Sequence, residues 1–250
     1  MLKKVAYIAV FLFSMKMATA QGFDWQHSSR MPTGQPDLFL GITFSGGFID
    51  NLADLGLFEE YLCTRLKSGN GTELNAGIIS ELWFDDGISL SLAAKYSSVL
   101  STMKQQNSYP MVDEYLVTEY VLESSLKLLE FDFRIKKTIA ETHLFISAGF
   151  NTGILLSNGN DFKEKVVSPA NWPLLERNLF NGSISEYSPV SASAVVCVGW
   201  DLNLGLDTYT TVSFEAAYDL NSLVKTDDWK RWTFGLKVNL LRGIYTGLFD

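Results

Sequence analysis

Between His143 and Ile154 the residues alternate singly in character. Leu144, Ile146, Ala148, Phe150, Thr152 and Ile154 share one parity; His143, Phe145, Ser147, Gly149, Asn151 and Gly153 share the other. Period-two alternation held for about a dozen residues predicts a strand longer than the roughly five or six residues usual in soluble sheets. The preceding run, Glu119–Arg134, sets Leu122, Leu126 and Leu128 against Glu119, Glu123, Ser125 and Lys127. Joined by the link Ile135–Thr142, the two runs predict a long hairpin (Glu119–Arg134 and His143–Leu156). One face is apolar and the other carries small and ionised residues, which suits a wall with lipid on one side and water or packed polar groups on the other.

The period recurs at Asp37–Phe48, Leu74–Phe84, Ile88–Leu100, Ser191–Asn203, Thr208–Leu220 and Trp229–Leu241. Asp85-Asp86-Gly87 predicts a tight turn between the second and third strands. Ile49–Glu73, Ser101–Tyr115 and Ser157–Pro189 are long connections and Asn221–Asp228 a moderate one; those between them are short. In the first, Leu52, Leu55, Leu57, Phe58 and Leu62 fit a short amphipathic helix or a folded loop. Strands with alternately long and short connections predict an all-β fold, an eight-stranded antiparallel up-and-down transmembrane β-barrel with long extracellular loops. The barrel occupies 37–241, after an irregular leader at 21–36 and before a C-terminal tail at 242–250.

The N-terminus sets the compartment. Lys3 and Lys4, the apolar run Val5–Ser14 and Ala18-Thr19-Ala20 predict a cleaved signal peptide over 1–20. No later stretch is long and apolar enough for a spanning helix, so a membrane form must be a closed barrel. The formal charge is −8; losing Lys3, Lys4 and Lys16 with the signal makes it −8 − 3 = −11, which argues against nucleic acid as a partner. Cys63 and Cys197 form no metal or redox motif, and either two separate thiols or a loop-to-strand disulfide fits. His27 and His143 belong to no catalytic motif, so the chain is read as a non-enzyme without a cofactor. Asn70-Gly71-Thr72 and Asn181-Gly182-Ser183 match glycosylation sequons but also read as turns. Trp83, Tyr96, Trp200, Tyr218, Trp229 and Trp232 fall near strand ends, as an interfacial girdle would, and equally as aromatics that simply favour strands would.

The alternation places Glu81, Lys95, Glu123, Lys127, Glu215 and Lys237 on the lumen face. In a narrow barrel they predict an ion-paired plug, because buried charges need partners. A small-solute channel is the alternative, and a soluble lipocalin-like binding barrel is the competing fold. Ser157–Pro189 exceeds what closing a barrel requires. Phe162, Trp172, Leu175 and Phe180 within it are candidate contacts for an envelope protein partner.

Tyr120-Val-Leu-Glu-Ser-Ser-Leu-Lys-Leu-Leu resembles a strand of PorT-like outer-membrane β-barrel proteins of the Bacteroidetes–Chlorobi lineage, with Ser125 where that family often has Pro. Phe145–Gly153, Phe214–Leu220 and Phe234–Leu240 resemble its following, penultimate and closing strands. The signal and the alternation imply bacterial outer-membrane localisation, with outer-membrane lipid and the barrel assembly machinery as partners, and the long loops a structural or partner-binding role; the resemblance leaves room for that role to lie in secretion or envelope assembly. It implies no catalytic residues. Such barrels often stop at a terminal aromatic, whereas here Asp250 follows Phe249.

Overall fold

The computed structural model describes residues 38–56, 65–84, 87–111, 115–139, 142–169, 175–205 and 207–244. The expected signal, leader and last six residues lie outside them. The strands are β1 (Leu38–Leu55), β2 (Leu66–Phe84), β3 (Ile88–Pro110), β4 (Tyr115–Thr138), β5 (Leu144–Ser168), β6 (Glu176–Gly182), β7 (Val190–Gly205), β8 (Thr208–Asp219) and β9 (Asp228–Ile244). All neighbours pair antiparallel, and β1 pairs with β9 to close the sheet. β6 pairs with the outer part of β5 and β7 with its inner part, so β6 and β7 occupy one position in a ring of eight.

The register fixes the barrel's width. Partners followed from Phe44 through β2, β3, β4 and β5 lead to Val190; the other way, through β9 and β8, they lead to Trp200. The closure is therefore staggered by 200 − 190 = 10 residues. At about 3.3 Å per residue and about 4.8 Å between strands, the strands tilt by about 40° and the backbone radius is about 8 Å. Side chains fill such an interior.

One outward residue from each strand of the ring stands at a common level: Phe44, Ile78, Leu92, Phe133, Phe150, Val196, Phe214 and Leu236, all exposed. In water this girdle would be an aggregation surface; in a bilayer it is the solvated one. The arrangement is the reverse of a soluble binding barrel, which keeps apolar residues inside. Tyr218 and Trp232, with ring centroids 4.6 Å apart, stand at the outer rim of the girdle. Of the other aromatics assigned to it, Tyr96 and Trp200 lie on outward positions, but Trp83 packs on the inner cluster around Tyr209, and Trp229 is fully buried in the outer core. Phe150→Arg is expected to cost about 2–4 kcal/mol and to lower insertion yield, because it puts a cation at the apolar midplane. Asn151→Arg, facing inward beside Glu130, is expected to insert far better in a vesicle-folding assay.

Several strands run well past the span that a bilayer requires, about 9–11 residues; β3, β4 and β5 have 23, 24 and 25. Ser101–Pro110 and Ser157–Ser168 are thus strand, not connection, and the loop expected at Ser157–Pro189 contains a β5–β6 hairpin. Ile49–Leu55 and Leu66–Glu73 are also strand, and no helix occurs there among the described residues. The alternation at these outer ends is muted because both faces carry polar residues.

Candidate functional site

The interior is built in tiers, and β4 shows why. Its even-numbered side chains point inward along its whole length: Leu122, Ser124, Leu126 and Leu128 in the outer half, then Glu130, Asp132, Arg134 and Lys136 in the inner half, all buried. Its odd positions invert in the opposite sense. Glu123 and Lys127 are exposed in the outer half, while Phe131, Phe133 and Ile135 are exposed in the inner half. Below the crossover the barrel is apolar outside and charged inside, as lipid demands. Above it the wall stands in water and is polar outside with an apolar core.

The lumen assignment of Glu123 and Lys127 is therefore corrected. Both lie on the outer face of the extended wall, and Glu123 sits 4.0 Å from Lys163. Leu122, Leu126 and Leu128 face the core, not lipid. Parity alone identifies two faces without saying which is inside.

Glu81, Lys95, Glu215 and Lys237 do point inward, but most of their partners come from β4. At mid-height Asp132 is the hub: Arg134 Nη2 lies 2.6 Å from it, Lys237 Nζ 3.0 Å and Lys95 Nζ 3.6 Å. Glu130 receives Lys95 at 3.3 Å, and Glu215 receives Arg134 at 2.9 Å. Cys197 faces the same space with a free thiol 2.6 Å from Ser147 Oγ; Cys63 lies outside the described residues.

Nearer the inner end, Lys136 bridges Glu81 (2.8 Å) and Asp201 (3.0 Å), with the rings of Trp83, Phe145 and Tyr209 around its ammonium. The rings and the carboxylates together replace the water this cation gives up. Phe39, Ile79, Ala93, Tyr209 and Leu241 pack beside them as a second apolar cluster. On the outer side of the hub, Arg231 donates from Nε to Asp219 at 2.7 Å, and Ser193 also donates to Asp219.

Above these charges lies the outer core, where Val99, Met103, Leu122, Leu126, Leu128, Phe162 and Trp229 are almost wholly inaccessible. Leu223 and Val224 from the β8–β9 connection and Tyr187 from the β6–β7 segment complete it. Tyr187 donates to Asn160 Oδ1 at 2.8 Å and lies 2.8 Å from Ser124 Oγ; burial pushes its phenol above the usual value. Trp229 Nε1 donates to Asn51 Oδ1 at 2.9 Å. Arg65, paired with Asp54 and Asp227, ties the β1–β2 and β8–β9 connections across the rim.

Of the expected loop contacts, Phe162 is buried in this core, 6.2 Å from the Tyr120 ring, and is withdrawn as a contact. Phe180 packs half-buried against the same core, and Leu175 is exposed just before β6. Trp172 lies outside the described residues, as does His27; His143 precedes β5 at the inner end. Glu130, Asp132, Arg134, Lys136, Asp201, Asp219 and Arg231 were missed as site residues. Their signal was present: if Leu122, Leu126 and Leu128 faced lipid, the same parity would drive Glu130, Asp132 and Arg134 into lipid as well. No grouping of His, Cys, Asp and Glu suited to a metal occurs among the described residues.

No protein-family model matches the chain, and no curated protein matches it. Among solved structures it is similar to Neisserial surface protein A (NspA), at 12% identity over 83% of this chain and 99% of that one, TM-score 0.36. It is also similar to Ail, the attachment invasion locus protein of Yersinia pestis, at 11% identity over 81% and 97%, TM-score 0.28. A third similarity is to the outer membrane protease OmpT from Escherichia coli, at 8% identity over 87% and 100%, TM-score 0.35. The barrel reading rests on this chain's own register and burial.

Proposed function

We propose that the protein is an integral barrel of the bacterial outer membrane with a non-catalytic role: a closed anchor that holds an extended wall outside the membrane for an envelope partner. The observation that carries this reading is the stacking of a paired charge layer beneath an apolar core. Together they occupy a narrow interior where a pore would need water-filled space. The long outer parts of β3, β4 and β5, with exposed Tyr115, Val167 and Leu175 near their tips, supply the contact surface. Export by a signal peptide, insertion by the barrel assembly machinery and kinship with PorT-like barrels belong to the same proposal, supported by the residue patterns that suggested them.

Purified protein in planar bilayers is expected to be electrically silent; steady currents would replace the anchor with the small-solute channel. A photo-cross-linker at Leu175 is expected to capture an envelope protein in intact cells. Capture equal to that from a site on the periplasmic turns would remove the partner-binding role.

A further inference from the structure

One buried charge in the lumen has no counter-ion of its own. Glu130, Asp132 and Glu215 balance Lys95, Arg134 and Lys237, and Asp219 balances Arg231. Glu81 and Asp201 share Lys136, which reaches both. Glu73 on β2 is buried as they are, yet among the described residues no ammonium or guanidinium lies within ion-pair distance of it. Arg231 and Lys95 act on it only from farther off, each committed to another carboxylate, and Glu130 adds a like charge. A carboxylate buried in this way is costly unless something else meets it.

Its surroundings are rich in oxygen. Asn75, the next inward residue of β2, donates from Nδ2 to Glu73 Oε1 at 2.6 Å and to Ser45 Oγ at 3.0 Å. The carboxylate demands a donor, which fixes the amide with Oδ1 as an acceptor, and that oxygen has no partner. Ser97 on β3 stands directly opposite Asn75, fully buried, and its Oγ is unpartnered too. Native interiors rarely strand such atoms. Ser45, Glu73 and Asn75 each keep 8% exposure although they face the lumen, so a space of about water size stays open among them. Gly47 on β1 and Gly235 on β9 continue the register row that starts at Glu73, and neither sends a side chain into that space.

We infer that this space is a binding site for one monovalent cation of sodium's size and hardness, held by the Glu73 carboxylate with Asn75 Oδ1 and Ser97 Oγ in its oxygen shell. Oxygen donors suit hard cations. A single positive charge cancels the single unanswered carboxylate, where a divalent ion would reverse the imbalance. A proton on Glu73 would also cancel the charge. It would, however, weaken the short donation from Asn75 and leave Asn75 Oδ1 and Ser97 Oγ stranded. The cation answers all three atoms and ties β2 to β3 just outside the Asp132 hub.

Stability followed against sodium tests the site. Full-length protein is folded into vesicles at mildly alkaline pH in sodium chloride or choline chloride, at constant total salt. It is then unfolded in urea with tryptophan fluorescence as the readout, and heat-modifiable gel migration confirms that each variant is folded. A cation bound only by the folded state is expected to lower the unfolding equilibrium constant about tenfold for each tenfold rise in sodium above its dissociation constant. Glu73→Gln is expected to abolish that dependence, and Glu123→Gln, on the outer face, to retain it. Should Glu73→Gln lose the heat shift, Ser97→Ala is expected to move the dependence to several-fold higher sodium. Sodium-independent stability of the wild type overturns the site. If that stability instead falls as pH rises in choline, and Glu73→Gln removes the fall, Glu73 carries a proton and the cation is excluded. Equal sodium dependence in wild type and Glu73→Gln assigns the effect to general salt screening and overturns the site as well.

Discussion

Asp132→Ala is expected to lower the unfolding free energy of the lipid-embedded barrel by about 3–5 kcal/mol. Asp132 is 3% exposed and meets Lys95, Arg134 and Lys237 at once. With it gone, three cations share Glu130 and Glu215 in a space too narrow to admit compensating water. The loss is that of stranded charge, not of a favourable contact, because a buried ion pair adds little net stability yet is costly to break. A second change that removes one of the stranded charges should therefore recover part of the loss. Lys237→Met in the Asp132→Ala background is expected to unfold at higher urea than Asp132→Ala alone, read by tryptophan fluorescence of protein folded into vesicles. Additive destabilisation by the two changes would mean that the charges do not act as one group.

The inversion along β4 predicts which substitutions the outer wall tolerates. Leu126→Ala is expected to cost about 2–5 kcal/mol, since Leu126 is 1% exposed in the outer core and its removal leaves a cavity. Leu126→Arg is expected to cost more, adding an unpaired charge. Glu123→Arg and Lys127→Glu, a few residues away, are expected to change stability by no more than about 0.5 kcal/mol. Protease resistance of the extended wall in folded barrels is the readout: rapid cleavage with Leu126→Arg and wild-type survival with the other two. The opposite ranking would return Leu126 to the lipid face and Glu123 to the lumen.

The parts legible from sequence were those where the two solvents differ most. Along Ile88–Leu100, Thr208–Leu220 and Trp229–Leu241 lipid faces one side and a packed polar lumen the other, so alternation stands out and β3, β8 and β9 begin within one residue of where the pattern puts them. Past Leu100 on β3 and past Leu156 on β5 the wall meets water outside, and its interior mixes Tyr120, Asn160 and Phe162. Contrast falls, and the segments read as polar connections. Facing was legible only where a neighbouring strand constrained it. On β4 two alternations of opposite sense share one strand, and joining them as one pattern turned the outer half inside out. The inward direction of Glu81, Lys95, Glu215 and Lys237 was readable one strand at a time. Their convergence on Asp132, Glu130, Arg134 and Lys136 depends on the register between distant strands, which alternation does not encode.

On β5, Leu155 pairs with Leu128 and Ser157 with Lys127, leaving Leu156 as an extra residue. That single residue sets which homologous changes the strand can survive. It offsets the parity so that Phe145 and Ser147 inside the inner half, and Asn160 and Phe162 inside the outer half, all face the axis although their numbers differ in parity. An ancestral or descendant chain lacking one residue here would rotate everything from Ser157 to Ser168, sending Phe162 into water and Lys163 into the core. Over evolutionary time, a single-residue insertion or deletion between Leu156 and Phe162 is tolerated only with a compensating one before the buried side chains resume.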